Sequence, residues 1–188
     1  MAGKSGSESR RLRSGGPIRV GLTGSLASGK STTLKYFKKH GWSTASADEM
    51  VAKIYRKKGI RKEDLIARFG RSPAGLKRLE KWIHPLVREK TLKFIKKSKG
   101  PVIVEVPLLF ESKFDRYFDF SIFIFAPLKD RIKRVTKRGM DLQLFKFLDH
   151  QQLPPREKIR RADFIIRNRS KKDLKKEVKH LSRILLSK

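Results

Sequence analysis

The chain of 188 residues carries 48 Lys and Arg against 18 Asp and Glu, a formal net charge of +30, and it contains no cysteine. Its length accommodates one α/β domain with an inserted subdomain, and the lack of cysteine excludes disulfides, thiolate metal sites and cysteine nucleophiles. Such a charge attracts polyanions, namely nucleotides, phosphorylated coenzymes, RNA or anionic membrane surfaces. The alternative is that the charged residues form only a solvated surface adapted to a salty or hot habitat. Since charge gives affinity without specificity, we expect weak, electrostatic nucleic-acid binding at most.

The N-terminal region differs in composition from the rest of the chain. Residues 1–16 contain mainly Gly, Ser and Arg, and we predict a disordered basic tail followed by one domain over residues 17–188. No apolar run approaches the length of a membrane span, and the N-terminal region lacks the apolar core of a signal peptide. We therefore expect a cytoplasmic protein.

A phosphate-binding loop pattern lies between a β-prone run at residues 18–23 and a helical pattern at residues 31–39. Glycines let successive backbone N–H groups face phosphate oxygens at a helix start, a lysine reaches the outer phosphates, and a hydroxyl is a ligand for Mg²⁺. The loop therefore predicts an ATP site formed by Gly24, Ser25, Leu26, Ala27, Ser28, Gly29, Lys30, Ser31 and Thr32.

Two carboxylates are candidates for chemistry beside this loop. Asp48 follows the predicted second strand at residues 42–45, where it either caps a helix or accepts the proton of an acceptor hydroxyl and helps to hold the metal. Glu105 interrupts the apolar third strand at residues 102–106, and an unpaired buried acid is costly, so we expect it to reach Mg²⁺ directly or through water.

The segments between the strands predict a helical subdomain and a lid. Residues 48–99 contain a strongly basic helical stretch and then a long helix from residue 82 to about residue 97, with His84 at its entry beside Pro85. His84 alone in such a position is more often structural than catalytic. Residues 139–161, bounded by Gly139 and a Pro pair, predict a hinged lid.

The helix at residues 128–138 carries a predicted core face of Leu128, Ile132 and Val135. Its arginines form an adjoining cationic face that either clamps a transferring phosphoryl group or is simply exposed: Arg131, Arg134 and Arg138. Further strands are predicted at residues 120–125 and 164–166, and the alternation of strands and helices predicts a doubly wound, five-stranded parallel sheet. The core part of the domain then consists of residues 17–47, 100–138 and 162–188.

Several motifs in this order resemble those of the dephospho-coenzyme A kinases, which belong to the adenylate-kinase-like phosphate-loop kinases. They are GLTGSLASGKST at residues 21–32, SADEMVAK at 46–53, HPLV at 84–87, VEVPLLFE at 104–111, the pair Arg134 and Arg138, Gln152, and EKIRRADFIIRN at 157–168. The resemblance implies transfer of the ATP γ-phosphoryl group to the ribose 3′-hydroxyl of dephospho-CoA, the last step of coenzyme A synthesis.

The resemblance also implies roles for residues at matching positions. Arg138 corresponds to the lid arginine that contacts the phosphates, and Asn168 to part of the adenine-side loop. The residues in acceptor-side motifs are Asp48, His84, Pro107, Leu108 and Glu111.

The chain departs from the family pattern in two places. Ser46 stands where the family usually has the aspartate that is assigned as the base. Either Asp48 or Glu105 then substitutes for that aspartate, or proton removal is late and dispensable. The family's acceptor-binding arginine has no counterpart, and only Arg71 and Arg78 lie in that region. Alternatives are therefore another small-molecule kinase or a degenerate kinase fold that binds RNA or other polyanions.

Overall fold

The computed structural model describes residues 16–61, 64–65 and 72–187. Within these residues the strands are β1 (Arg19–Gly24), β2 (Ser43–Ser46), β3 (Val102–Glu105), β4 (Phe120–Phe125) and β5 (Phe164–Arg167). The helices are α1 (Lys30–Lys39), α2 (Ala47–Lys57), α3 (Pro73–Lys97), α4 (Leu128–Thr136), α5 (Leu142–His150), α6 (Pro155–Arg161) and α7 (Lys171–Leu186), with a short 3₁₀ helix at Phe114–Tyr117. The predicted tail up to residue 15 and the basic stretch at residues 66–71 lie outside the described residues.

The five strands form one all-parallel sheet in the order β2-β3-β1-β4-β5, which confirms the predicted fold class. In this register, Glu105 of β3 lies opposite Leu22 of β1 on one side and Ser46 of β2 on the other. The carboxyl ends of β1, β2 and β3 thus meet at one edge of the sheet, and β1 has β3 and β4 on its two sides. Ligands of open parallel sheets bind at such an edge.

The two faces of the sheet form two apolar cores. Helices α1 and α7 cover one face, where the buried residues include Val20, Leu22, Phe37, Ile103, Ile122, Ile124, Leu174 and Val178. Helices α2 and α3 and the segment after β3 cover the other, with Ile54, Ile83, Val87, Val102, Val104, Leu109, Phe114 and Phe118. Gly21 allows this second face to pack closely, since a Cβ there would lie 2.9 Å from the Phe118 ring.

Helix α3 begins about two and a half turns earlier than the sequence predicts. Ser72 is its N-cap and accepts a hydrogen bond from the backbone N–H of Gly75 at 3.1 Å, while Pro73 occupies the first turn. A serine cap followed by proline is a stronger start signal than Pro85, which lies inside the helix. His84 is therefore in the middle of α3, not at its entry.

The predicted core face of α4 is only partly right. Val135 is buried, but Leu128 is 53% exposed, whereas Arg131 is buried with 4% exposure. Helical periodicity alone places Leu128 inside. Its position in the first turn of the helix leaves it in solvent, and Arg131 is buried because its charge has partners on both sides, as described below.

Candidate active site

The phosphate-loop pattern forms a tight bend between the end of β1 and the start of α1. A Cβ on Gly24 would lie 2.5 Å from Ser28 Oγ and 2.8 Å from the Ile124 carbonyl oxygen. Gly29 has φ +107°, and a Cβ there would lie 2.2 Å from Asn168 Nδ2. Close approach therefore requires glycine at both positions, and at Gly29 the left-handed backbone conformation requires it as well.

Lys30 is folded back across the mouth of this loop. Its Nζ donates to the carbonyl oxygens of Gly24 at 3.0 Å and Ser25 at 3.1 Å, and the side chain is buried. Burial lowers the pKa of Lys30, while the negative charges of Glu105 and Asp48 act in the opposite direction. The arrangement holds one cation at the first turn of a helix, where anions are already favoured.

Arginine and asparagine side chains bind backbone carbonyl oxygens of the loop. Arg134 Nη1 donates to the Ala27 and Ser28 carbonyls, each at 3.1 Å, and Asn168 Nδ2 donates to the Ser28 carbonyl at 2.7 Å. Arg134 Nη2 also donates to the Asn168 carbonyl at 3.3 Å. Since these donors bind carbonyl oxygens of the loop, they stabilise its bend.

The three arginines of the predicted cationic face have different surroundings. Arg131 Nη1 donates to Asp149 Oδ1 at 2.6 Å and to the Leu26 carbonyl at 3.4 Å, and thus joins the loop to α5. Arg134 binds the loop itself, and Arg138 is exposed in the turn between α4 and α5. The exposed alternative is therefore wrong for Arg131, which is buried, and both Arg131 and Arg134 contact the phosphate loop directly.

Two carboxylates lie where the carboxyl ends of the strands meet. Glu105 is buried at the end of β3, and burial raises its pKa, although the charge of Lys30 and a hydrogen bond from the Ser31 side chain lower it to a smaller extent. Asp48 lies in the first turn of α2, and partial desolvation raises its pKa against the opposing charge of Lys30. The two acids and Lys30 therefore form one electrostatic unit.

The interpretation of Asp48 as a helix cap is wrong. Helix α2 begins at Ala47, its N-cap is Ser46, and no side chain makes a capping hydrogen bond there. Asp48 is the second helical residue, where its charge still favours the helix N-terminus but its oxygens stay available.

A pocket of about 190 Å³ opens beside these acids, between α2, α3 and the segment after β3. Its lining is mainly apolar and consists of Ala47, Asp48, Val51, Ile83, His84, Val87, Arg88, Val106, Pro107, Leu108, Ser112 and Phe114. Of the five predicted acceptor residues, Asp48, His84, Pro107 and Leu108 line it and Glu111 does not. Sequence reasoning missed Arg88, although it lies four residues after His84 and hence on the same helix face.

Glu111 is instead paired with a lysine that the sequence analysis did not single out. Lys158 of α6 is fully buried; its Nζ lies 2.8 Å from Glu111 Oε1 and donates to the Pro107 carbonyl at 3.2 Å and Gln152 Oε1 at 3.3 Å. Glu111 Oε1 also accepts from the Leu153 N–H at 2.9 Å. This cluster ties the pocket wall at Pro107 to the end of the predicted lid.

The Pro107 carbonyl has a second donor, Thr23 Oγ1 of β1, at 3.0 Å. Strand β1 leads directly into the phosphate loop, so one carbonyl oxygen connects the base of the loop, the pocket wall and the buried lysine.

A phosphate loop after the first strand of an all-parallel sheet, an acid at the end of the neighbouring strand and an adjoining pocket define a P-loop kinase. The family model described as dephospho-CoA kinase matches residues 61–173. A dephospho-CoA kinase of Bartonella quintana is 37% identical over 169 residues, covering 78% of this chain and 87% of the relative.

Solved structures agree with this match. A Thermus thermophilus protein superposes with a TM-score of 0.79 and 26% identity, covering 92% of this chain and 98% of the other. A dephospho-CoA kinase from Campylobacter jejuni superposes with a TM-score of 0.61 and 25% identity, covering 90% and 97%. The chain therefore belongs to the dephospho-CoA kinase family, and it is an ATP-dependent phosphotransferase with the activity that gives the family its description.

Within the described ranges, none of the helices combines the length and the apolar character needed to cross a bilayer.

Proposed function

We propose that this chain moves the γ-phosphoryl group of ATP to the ribose 3′-hydroxyl of dephospho-CoA, with the triphosphate in residues 24–32 and the acceptor in the pocket beside α2. One observation carries this assignment: Asp48 lines the pocket and also interacts electrostatically with Lys30 of the loop. Donor phosphate, acceptor hydroxyl and catalytic groups thus converge at one place. Asn168, fixed against the loop, is assigned to the adenine side.

The side chains near the loop fit a magnesium ion. Ser31 supplies a hydroxyl oxygen and Glu105 a carboxylate oxygen, and the two are hydrogen bonded. Mg²⁺ prefers oxygen ligands, and its coordination is commonly completed by water and substrate phosphates. An ion bound there would neutralise charge on the transferring group. Ser31 would hold it through its hydroxyl, and Glu105 through its carboxylate or a bridging water.

Asp48 is assigned as the base in place of the family aspartate, whose position holds Ser46. We expect Asp48→Asn to lower kcat about 10²-fold, at the modest end of general-base effects because the transition state of phosphoryl transfer is loose. Ser46→Ala is the matched control and should retain kcat within about twofold, because a buried serine at this position has no proton-accepting role in the assignment.

The pH profile separates the two acids. A base acts when deprotonated, and the pKa of Asp48 is raised, so kcat/KM should fall as the pH drops through a value above the ordinary aspartate range. This acid limb should disappear in Asp48→Asn. If it persists in Asp48→Asn and disappears in Glu105→Gln, the proton is accepted by Glu105, whose pKa is also raised.

We assign Arg138 as the residue that contacts the phosphates of ATP when the predicted lid closes. Its side chain is exposed at the start of the predicted lid. We expect Arg138→Ala to lower kcat on the order of 10²-fold, with the KM for ATP little changed, because a donor that acts on the transferring group contributes mainly in the transition state. Lys137→Ala, an exposed neighbour, is the control. Equal kinetic constants for the two variants would remove Arg138 from the mechanism.

The acceptor is tested with labelled ATP and a panel of hydroxyl compounds. Dephospho-CoA should be labelled at the ribose 3′ position, and sugars, shikimate and adenylylsulfate should not be labelled at comparable rates. Labelling of another acceptor in preference to dephospho-CoA would overturn the assignment. We further propose a cytoplasmic location and, from the net charge of +30, weak electrostatic nucleic-acid binding that salt abolishes.

A further inference from the structure

Arg88 projects from α3 into the wall of the acceptor pocket, one helical turn after His84. The residue is half-buried, and its guanidinium carbon lies 5.6 Å from the centre of the Tyr117 ring. A cation–π contact favours positions of the guanidinium over the ring face and uses none of its N–H groups, which can still bind a ligand. The side chain is thus positioned before any ligand arrives.

The Nε of Arg88 is buried and has no hydrogen-bond partner within the described part of the chain. Leaving a buried donor unsatisfied costs about 1–3 kcal/mol, and more when the group is charged. An acceptor oxygen brought by a ligand would remove this cost. The orphaned donor is therefore an observation that points to a ligand, independent of the shape of the pocket.

The residues that line the pocket indicate which chemical groups this ligand carries. Among the described lining residues, Arg88 is the one permanent cation and Asp48 the one carboxylate, and most of the others are apolar. The pocket thus offers a proton acceptor at one position, a planar fork of donors at another and apolar surface between them. A hydroxyl-bearing nucleotide with a diphosphate meets all three, since guanidinium groups bind phosphate oxygens in a bidentate manner.

We propose that Arg88, held by Tyr117, binds the diphosphate of the acceptor, and so selects a diphosphate-bearing nucleotide over a bare nucleoside. This inference rests on the proposed function. It gives Arg88 the role of the acceptor-binding arginine, for which the sequence offered only Arg71 and Arg78. Arg71 lies outside the described residues, and Arg78 is exposed on α3 and absent from the pocket lining.

The test compares Arg88→Met, Arg88→Lys and Arg116→Met. Methionine keeps the length of the side chain without its charge. Arg116 is the matched control, because its guanidinium also lies over the Tyr117 ring, at 5.0 Å, but is not part of the pocket lining. Each variant is assayed for kcat, KM for ATP and KM for dephospho-CoA, and its thermal unfolding is recorded.

Arg88→Met should raise the KM for dephospho-CoA about 10- to 100-fold, the range that a charge-assisted hydrogen bond implies, with kcat and the KM for ATP within about twofold. Arg88→Lys should recover part of the loss, and Arg116→Met should match the parent. With adenosine as acceptor, which has the 3′-hydroxyl but no phosphate, Arg88→Met and the parent should have equal kcat/KM.

Two results would overturn the inference and leave the proposed function standing. One is an unchanged KM for dephospho-CoA in Arg88→Met. The other is an equal loss with adenosine and dephospho-CoA, since Arg88 would then shape the pocket without binding the diphosphate. If the parent protein does not phosphorylate dephospho-CoA at all, the proposed function itself fails.

Discussion

Lys30→Ala abolishes phosphoryl transfer, with kcat reduced on the order of 10³-fold or more. In the proposed mechanism the ammonium of Lys30 contacts the outer phosphates, and its lowered pKa reflects burial that also keeps water from screening it. Because the developing charge on the transferring group has no substitute cation at that position, the loss should appear in kcat more than in the KM for ATP.

Lys30→Arg serves as the partner variant. A guanidinium keeps the charge but is larger and planar, so it does not fit where Nζ binds the Gly24 and Ser25 carbonyls. We expect it to recover only a small part of the activity. Thermal unfolding of both variants shows whether the fold is retained. Turnover by folded Lys30→Ala at the parental rate would remove the mechanism.

Breaking the buried pair between Lys158 and Glu111 should have the largest effect on stability. Lys158→Met leaves Glu111 without its cation and the Pro107 carbonyl with one donor fewer. Removal of one partner from a buried pair costs about 3–5 kcal/mol, because the charge that stays behind is not solvated. Urea unfolding measures the change in the free energy of unfolding.

A double-mutant cycle shows whether the pair itself is responsible. Glu111→Gln keeps an oxygen that can accept from the Leu153 N–H, and the double variant removes both charges together. We expect the double variant to be at least 1 kcal/mol more stable than the sum of the single changes predicts, on the scale of coupling energies between contacting residues (roughly 0.5–3 kcal/mol).

The control cycle uses the pair formed by Lys93 and Glu89 on the surface of α3. These side chains are 68% and 58% exposed, so their coupling should stay below about 1 kcal/mol. Equal coupling energies in the two cycles would show that burial does not govern the Lys158 pair.

The phosphate loop and the strands next to it were predictable because local sequence determines them. Gly24 and Gly29 stand at positions where a Cβ would collide, and the β-branched run at β3 between Pro101 and Pro107 has no competing pattern. Parallel pairing then follows from the alternation with helices. The glycine spacing of the loop and the apolar run of β3 are patterns of contiguous residues, so sequence reasoning reached them.

The burial of Arg131 and Lys158 was not predictable from periodicity. Arg131 lies on the face that helical spacing marks as polar, and its burial depends on Asp149 and the Leu26 carbonyl, which are distant in the chain. Lys158 is buried for the same reason, through Glu111. Long-range ion pairs of this kind leave no local signal, and for Arg88 the only signal was its spacing from His84 on α3.

The central claim is that residues 24–31 bend around the β-phosphate of ATP while Asp48 faces the acceptor hydroxyl. A crystal structure of the full chain with a non-hydrolysable ATP analogue, Mg²⁺ and dephospho-CoA tests it most directly. We predict a β-phosphate within hydrogen-bond distance of the backbone N–H groups of this loop and of Lys30 Nζ, with the ribose 3′-oxygen beside Asp48. A triphosphate bound away from the loop, or a ribose outside the α2–α3 pocket, would contradict the account.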